Sequence, residues 1–450
     1  MKVVVVGCTH AGTAAVKNIL ANNSEADVTV FERNDNVSFL SCGIALYVGG
    51  VVKNAQDLFY SSPEELASLG AKLHMEHEVT AIDVEQKVVT SKDLTTGEVS
   101  ETAYDKLVMT TGSWPITPPI PGRELDNVLL CKNYNQAKEI IAKADNAQKV
   151  VVVGGGYIGI ELVEAFVDSG KEVTLVDGLD RILNKYLDAG HTDILEDFLR
   201  EKGVKVALNE TVSEFVAGEQ GQLTAVKTNE GAYEADLAIL CVGFRPQTEL
   251  LKDKVEMLPN GAIVVDQFMK TSNPDIFAAG DSAVVKYNPT DTENYIPLAT
   301  NAVRQGMLVG ANLAGDTLAY RGTQGTSGLY LFGWTIGSTG MTLGNALQAD
   351  INAGSVWFED NYRPEFMPST EKVYMQLVYD KDTHVILGGQ LMSKYDITQS
   401  ANTLSVVVQN KMTVEDLALQ DFFFQPHFDR PWNYLNLLAQ EAMKQLHTKK

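Results

Sequence analysis

Residues 149–177 constrain the chain most. Val150 to Val153 is an apolar run of strand length, and Gly154-Gly155-Gly156-Tyr157-Ile158-Gly159 follows at once. Ile160 to Ser169 reads as a helix closed by Gly170, and Val173 to Val176 is a second strand that ends at Asp177. Strand, complete G-x-G-x-x-G, helix, strand and an acid 18 residues past Gly159 form a β-α-β unit. Its glycines let backbone N–H groups approach a pyrophosphate at a helix N-terminus. Asp177 would accept a ribose 2′-OH and repel a 2′-phosphate, while Gly178 and Leu179 bring no positive charge, so NADH is favoured over NADPH. Arg181 is a nearby cation that could still reach a phosphate.

The amino terminus repeats the layout. Val3–Val6 is a buried strand, Gly7-Cys8-Thr9-His10-Ala11-Gly12 a loop, a helix runs to about Leu20, and Val28–Phe31 ends at Glu32. Thr9 occupies the place of the middle glycine. Two such units imply two dinucleotides, and a protein that holds two usually pairs a flavin with a nicotinamide, because hydride passes between them. Ala238–Val242 is a strand that leads into Gly243-Phe244-Arg245-Pro246. Ile276–Asp281 is a further strand with a Gly-Asp turn, and a helix opens near Ala299 and reaches about Asn312.

At 450 residues the chain is too long for one core. The net charge of −22 argues against nucleic acid and anionic membrane surfaces as partners. No stretch approaches the ~18 apolar residues of a spanning helix, and the first apolar run is too short for a signal sequence. Cys8, Cys42, Cys131 and Cys241 show neither a C-x-x-C pair nor zinc spacing, which fits a cytoplasmic protein with reduced thiols and no metal. Cys131 and Cys241 sit in apolar runs and read as core.

Cys42 differs. It lies in Ser38-Phe39-Leu40-Ser41-Cys42-Gly43, about ten residues past Glu32, within reach of the carboxyl ends of the strands. Ser41 reads as a helix N-cap and Cys42 as the first or second residue of that helix, where the helix dipole favours thiolate. His10, in the first phosphate-binding loop, could serve that thiolate as acid or base. A dithiol needs a second cysteine one turn on, and Tyr47 stands there. A lone thiolate can instead cycle through sulfenic acid or a mixed disulfide. His74 and His77 fall on opposite faces of a strand, and His191, His384 and His447 read as surface residues. Residues 71–110 look like β-hairpin material with a turn at Thr96-Gly97, and Pro115 to Pro121 looks like a rigid connector. From Gly325 a third, α+β region begins, with helices near Ile397–Gln409 and Trp432–Leu446.

With these residues in hand, the chain resembles the flavin-dependent pyridine nucleotide–disulfide oxidoreductases, and within them the single-cysteine branch of NADH oxidases and NADH peroxidases. The likeness rests on Val6–Gly12, Ser38–Gly43, Gly154–Glu161, Ile276–Ser282 and Phe422-Phe423-Phe424-Gln425-Pro426. It implies an α/β fold of two Rossmann-like dinucleotide-binding domains, for FAD and NADH, plus a C-terminal α+β dimerisation domain. The expected boundaries are 1–114 and 245–324 for FAD, 115–244 for NADH and 325–450 for the interface of a homodimer. The resemblance implies that Gly7, Cys8, Thr9, His10, Ala11, Gly12 and Glu32 hold FAD. Thr110, Thr111, Gly112, Ser113, Lys132, Gly280 and Asp281 would join them, with Cys42 and Ala299 near the flavin. Gly154, Gly156, Tyr157, Ile158, Gly159 and Glu161 would meet NADH, as would Asp177, Tyr186, Gly243 and Gly328. Phe424 would reach the flavin of the neighbouring subunit. Gln425-Pro426 stands where related disulfide reductases carry His-Pro, which leaves acid/base work to His10, with His427 as the alternative. The implied activity is four-electron reduction of O2 to water by two NADH, through a flavin hydroperoxide and a Cys42 sulfenic acid. NADH peroxidase and coenzyme A-disulfide reductase use the same cysteine position and are the alternatives.

Overall fold

The computed structural model describes residues 1–447. Its first sheet places the strands Ile276–Ala278, Lys106–Met109, Lys2–Val6, Asp27–Glu32 and Lys72–Met75 side by side, all parallel. Val3 to Val6 are buried, as a parallel strand covered on both faces requires. Between Met109 and Ile276 the chain builds a second parallel sheet, in the order Lys205–Leu208, Glu172–Asp177, Lys149–Val153, Leu237–Leu240 and Val128–Leu130. Ser113–Pro115 pairs antiparallel with Phe244–Pro246 where the chain goes out to this sheet and comes back. In both sheets the glycine loop follows the central strand, so both loops lie at carboxyl ends, where α/β proteins bind ligands.

The helix that starts at His10 (His10–Asn22) packs on the helix Ala299–Asn312. A Cβ at Gly306 would run into the carbonyl oxygen of Ala11, so only glycine permits this approach. The close crossing fixes the start of the first helix, and His10 with it. The third region is a five-stranded antiparallel sheet ordered Ser327–Leu331, Trp334–Gly340, Ile386–Ser393, Lys372–Asp380 and Ala353–Asn361. The helices Thr398–Gln409 and Tyr434–His447 cover it. Among the described residues no helix is long and apolar enough to cross a membrane.

The structure corrects three expectations away from the cleft. Lys72–Met75 is not part of a hairpin but the edge strand of the first parallel sheet. Glu76, at a φ of 55°, then turns the chain into the separate antiparallel sheet of His77–Asp83, Val88–Asp93 and Val99–Ala103. That turn also brings the His74 and His77 rings together, with centroids 5.2 Å apart beside Phe31, rather than on opposite faces. Among the described residues no group of three or more metal-ligating side chains forms.

His191, expected at the surface, is fully buried. It sits in the helix Ala189–Glu201, faces Trp357 at 4.8 Å and hydrogen-bonds the carbonyl of Tyr374 through Nε2. Both partners belong to the third region, so this histidine helps join it to the second sheet. Burial pushes its pKa down to about 4. An unfolded chain binds the proton near 6.5, so the contribution is intact above pH 6.5 and is lost as pH falls towards 4. At 1.36 kcal/mol per pKa unit the loss is about 3 kcal/mol. His191→Gln lacks this titration. The stability gap between wild type and H191Q should therefore shrink from pH 7 to pH 4 in denaturant unfolding, and a constant gap would contradict the buried neutral state.

Candidate active site

A cleft of about 510 Å³ opens at the carboxyl ends of the first sheet. Gly7 to Ala11, Glu32, Thr110 to Ser113, Lys132, Gly280 and Asp281 all line it, although they come from five separate stretches of sequence. The buried Glu32 carboxylate at the end of its strand accepts N–H groups from Cys8 (2.6 Å) and Asn34 (2.8 Å), and the Asn34 amide (2.6 Å). Desolvation outweighs these bonds and raises its pKa. Across the cleft, Asp281 accepts from Ser113 Oγ (2.7 Å) and pairs with Lys132 Nζ (3.2 Å). Thr111 donates to the Gln247 carbonyl (2.5 Å), and Gly112 N–H donates to Ser282 Oγ (2.8 Å).

This donor set fits a dinucleotide. The first helix starts beside the cleft with no side-chain cap and no acid in its first turn, so its N–H groups remain to meet a phosphate. Gly12 is buried just behind the loop, where a Cβ would strike the Gly7 carbonyl oxygen. In the second unit Gly156 caps the helix Tyr157–Asp168, again without a side-chain cap bond or an early acid. Gly159 meets the Gly154 carbonyl oxygen as Gly12 meets that of Gly7. Asp177 accepts the N–H groups of Gly155 (2.5 Å) and Leu179 (2.8 Å), which holds it beside this loop. Arg181 is engaged by Asp193 and Thr192. Tyr157 stacks on Tyr186 with ring centroids 4.1 Å apart, and its hydroxyl is 2.8 Å from Ser327, the residue before Gly328. Gly243 lies just past the strand Leu237–Leu240, where the chain turns back, and adopts a φ of 102°.

The cysteine stretch is built differently from the expectation. Ser41–Gly43 forms one 3-10 turn, and the α-helix begins only at Ile44, capped by Gly43, and runs just to Val48. Ser41 is therefore not its N-cap and Cys42 precedes the helix. The thiolate is not favoured by the protein alone: burial pushes the thiol pKa up, Glu161 adds to this, and Lys132 opposes it. Cys42 is nonetheless the exposed member of the four free cysteines; Cys8 and Cys131 are buried and Cys241 is partly so, which departs from the full burial expected of it. Ser41, its neighbour, lines the cleft. Glu161 is itself raised to about 7 by burial and by Glu164.

His10 is the first residue of its helix. Burial lowers its pKa, while Asp281 works in the other direction. The structure shows no hydrogen bond from it to Cys42. Its Nδ1 instead lies 2.9 Å from the Tyr60 hydroxyl, and its Nε2 is buried without a partner among the described residues. Lys132 and Asp281 act on the titration of both His10 and Cys42: Lys132 lowers both, and Asp281 raises both. Ala299 starts its helix, and Ala302, one turn on, lines the cleft. Phe424 is half exposed in an irregular segment, where Gln425 and His427 bond to one another.

Sequence reasoning missed Tyr60 and Ser38. Ser38 is buried at a φ of 59° and donates through Oγ to the Ser61 carbonyl (2.7 Å) while accepting the Ser61 N–H (2.8 Å). Its own N–H bonds the Cys8 carbonyl (3.0 Å). One serine thus ties together the first glycine loop, the cysteine stretch and the Tyr60 segment. A residue other than glycine in this strained conformation persists only where such bonds hold it.

Residues 1–306 match the family described as pyridine nucleotide-disulphide oxidoreductase, and residues 326–434 match its dimerisation domain. An NADH oxidase of Enterococcus faecalis is 73% identical over 99% of this chain and 100% of its own. A water-forming NADH oxidase from Lactobacillus brevis, solved bound to NADH, superimposes with a TM-score of 0.98 at 60% identity, covering 100% of this chain and 99% of that one. A CoA-dependent NAD(P)H sulfur oxidoreductase of Pyrococcus furiosus is more distant, at 31% identity over 97% of this chain and 98% of its own.

Proposed function

The chain belongs to the pyridine nucleotide-disulphide oxidoreductase family, and within it we propose a water-forming NADH oxidase that uses FAD. The observation that carries this reading is Cys42: the exposed residue among the four free cysteines, its thiol desolvated beside the dinucleotide cleft, with no second cysteine to close a disulfide. The full-length likeness to NADH oxidases supports the choice of oxidant, and the lower identity of the CoA-dependent relative disfavours disulfide reduction. FAD, when bound, supplies a hydride acceptor that can pass electrons on to O2.

The FAD pyrophosphate is assigned to Gly7–Gly12 and the start of the first helix, the ribose to Glu32, and the remaining polar contacts to Thr110–Ser113, Lys132, Gly280 and Asp281. NADH is assigned to Gly154–Gly159, Glu161, Asp177, Tyr186, Gly243 and Gly328, and Ala299 flanks the isoalloxazine. The Tyr157 ring, stacked on Tyr186, would stand at the nicotinamide position and would give way to bound NADH. The FAD domain is assigned to residues 1–114 and 245–324, the NADH domain to 115–244 and the interface domain to 325 onward. The protein works in the cytoplasm as a homodimer, and the half-exposed Phe424 serves the neighbour's site.

Peroxide formed from O2 and the first NADH meets the Cys42 thiolate. Sulfur attacks one peroxide oxygen, the O–O bond breaks, and the departing hydroxide takes a proton from His10 and leaves as water. Cys42 is left as sulfenic acid. The second NADH supplies a hydride equivalent, which returns the thiolate and releases the second water. The sum is 2 NADH + O2 + 2 H⁺ → 2 NAD⁺ + 2 H2O. The charge of Lys132 stabilises the Cys42 thiolate against the burial that opposes it. Dimedone added during turnover should attach to Cys42 and to none of the other three cysteines. Full turnover in dimedone with Cys42 unmodified would remove the sulfenic acid from the scheme.

A further inference from the structure

Two cavities meet at one hydrogen bond. His10 lines the dinucleotide cleft. Tyr60 lines a second cavity of about 560 Å³, walled also by Asp35, Glu64, Glu65 and Tyr134. The Tyr60 hydroxyl and His10 Nδ1 are 2.9 Å apart, and the two rings lie parallel with centroids at 5.6 Å. Tyr60 is 45% exposed and lines the second cavity, while its hydroxyl is turned to His10. The Ser38–Ser61 bonds hold the adjacent backbone in place. The pair therefore spans from one cavity to the other.

The chemistry of the pair sets a direction. Burial pushes the Tyr60 phenol upward, so it keeps its O–H, and pushes the imidazole downward, so His10 is neutral. A neutral imidazole carries one proton, and the bond made by one nitrogen decides where it sits. Nε2 is buried without a protein partner among the described residues, an unsatisfied nitrogen on a residue that lines the cleft.

We infer that Tyr60 is a positioning residue for the reaction: its O–H, donated to Nδ1, fixes the His10 proton on Nε2, the nitrogen that faces the chemistry. This rests on the assignment of His10 as the proton donor. The departing hydroxide takes the Nε2 proton while the Tyr60 hydroxyl keeps its own and, hydrogen-bonded to Nδ1, stabilises the charge left on the ring. Nε2 then regains one proton from water, which restores the starting tautomer for the next turnover.

The test uses the holoenzyme. ¹⁵N-histidine NMR, with the His10 signals assigned by their loss in His10→Ala, should show the Nε2–H tautomer in the wild type and a mixture in Tyr60→Phe. During turnover, Y60F should release part of its O2 as H2O2, its peroxide step slowed about threefold to tenfold, as loss of one hydrogen bond predicts. The double variant should leak no more than H10A alone, because the hydroxyl acts only through the imidazole. An Nδ1–H tautomer in the wild type overturns the inference whether or not Y60F folds. So does a Y60F enzyme with an unchanged tautomer and no H2O2, or an additive double variant. If H10A itself releases no peroxide, the assignment of His10 fails first. If H10A leaks and Y60F does not, only the role of Tyr60 fails.

Discussion

Cys42→Ser should consume O2 and release it as H2O2. The NADH consumed per O2 should fall from two towards one. A serine hydroxyl stays protonated at neutral pH and is a poor nucleophile towards peroxide, so the O–O bond survives and peroxide diffuses away. Serine is close in size to cysteine, and Cys42 sits in a 3-10 turn held by backbone bonds, so the change should leave the turn intact. The dinucleotide loops are untouched, and reduction by NADH should proceed at its normal rate. This is the largest change expected from any single substitution, because it replaces one product with another. A C42S enzyme that still makes only water would show that sulfur does not break the peroxide.

His10→Ala should retain reduction by NADH and slow the peroxide step by ~10²–10⁴, the usual contribution of a positioned general acid. At 1.36 kcal/mol per tenfold, this is about 3–5 kcal/mol of barrier. The step loses its proton source at the moment hydroxide departs, and water must serve instead. Escape of H2O2 then competes with cleavage, so the variant should leak peroxide while Cys42 remains. Single-turnover mixing of the reduced enzyme with H2O2 isolates the step. An unchanged rate there would remove His10 from the chemistry and point to His427.

The dinucleotide units were legible in sequence because every part of them is local. Strand, glycine loop, helix start and closing acid lie within some 30 residues, and each is needed by the same phosphate and ribose. Glu32 and Asp177 occupy the places that this pattern assigns. The lone Cys42 was legible for a different reason: Tyr47 stands where a dithiol needs sulfur. What stayed hidden depends on contacts between distant residues. Tyr60 carries no motif, and it meets His10 across 50 positions because Ser38 pins Ser61. His191 lies in a polar stretch of sequence, but Tyr374 and Trp357 come from another sheet to bury it. The thiolate expectation assumed a helix dipole, whereas the helix starts after Cys42 and desolvation dominates its titration. Local pattern therefore placed the strands, glycine loops and closing acids but misjudged the protonation states, which depend on what packs around each group.

Whether one site takes O2 to water without letting peroxide go is read from simultaneous recording of NADH loss, O2 uptake and H2O2 accumulation by the wild-type holoenzyme. Two NADH per O2 with no H2O2 is the expected result. One NADH per O2 with matching H2O2, or no O2 uptake at all, would contradict it.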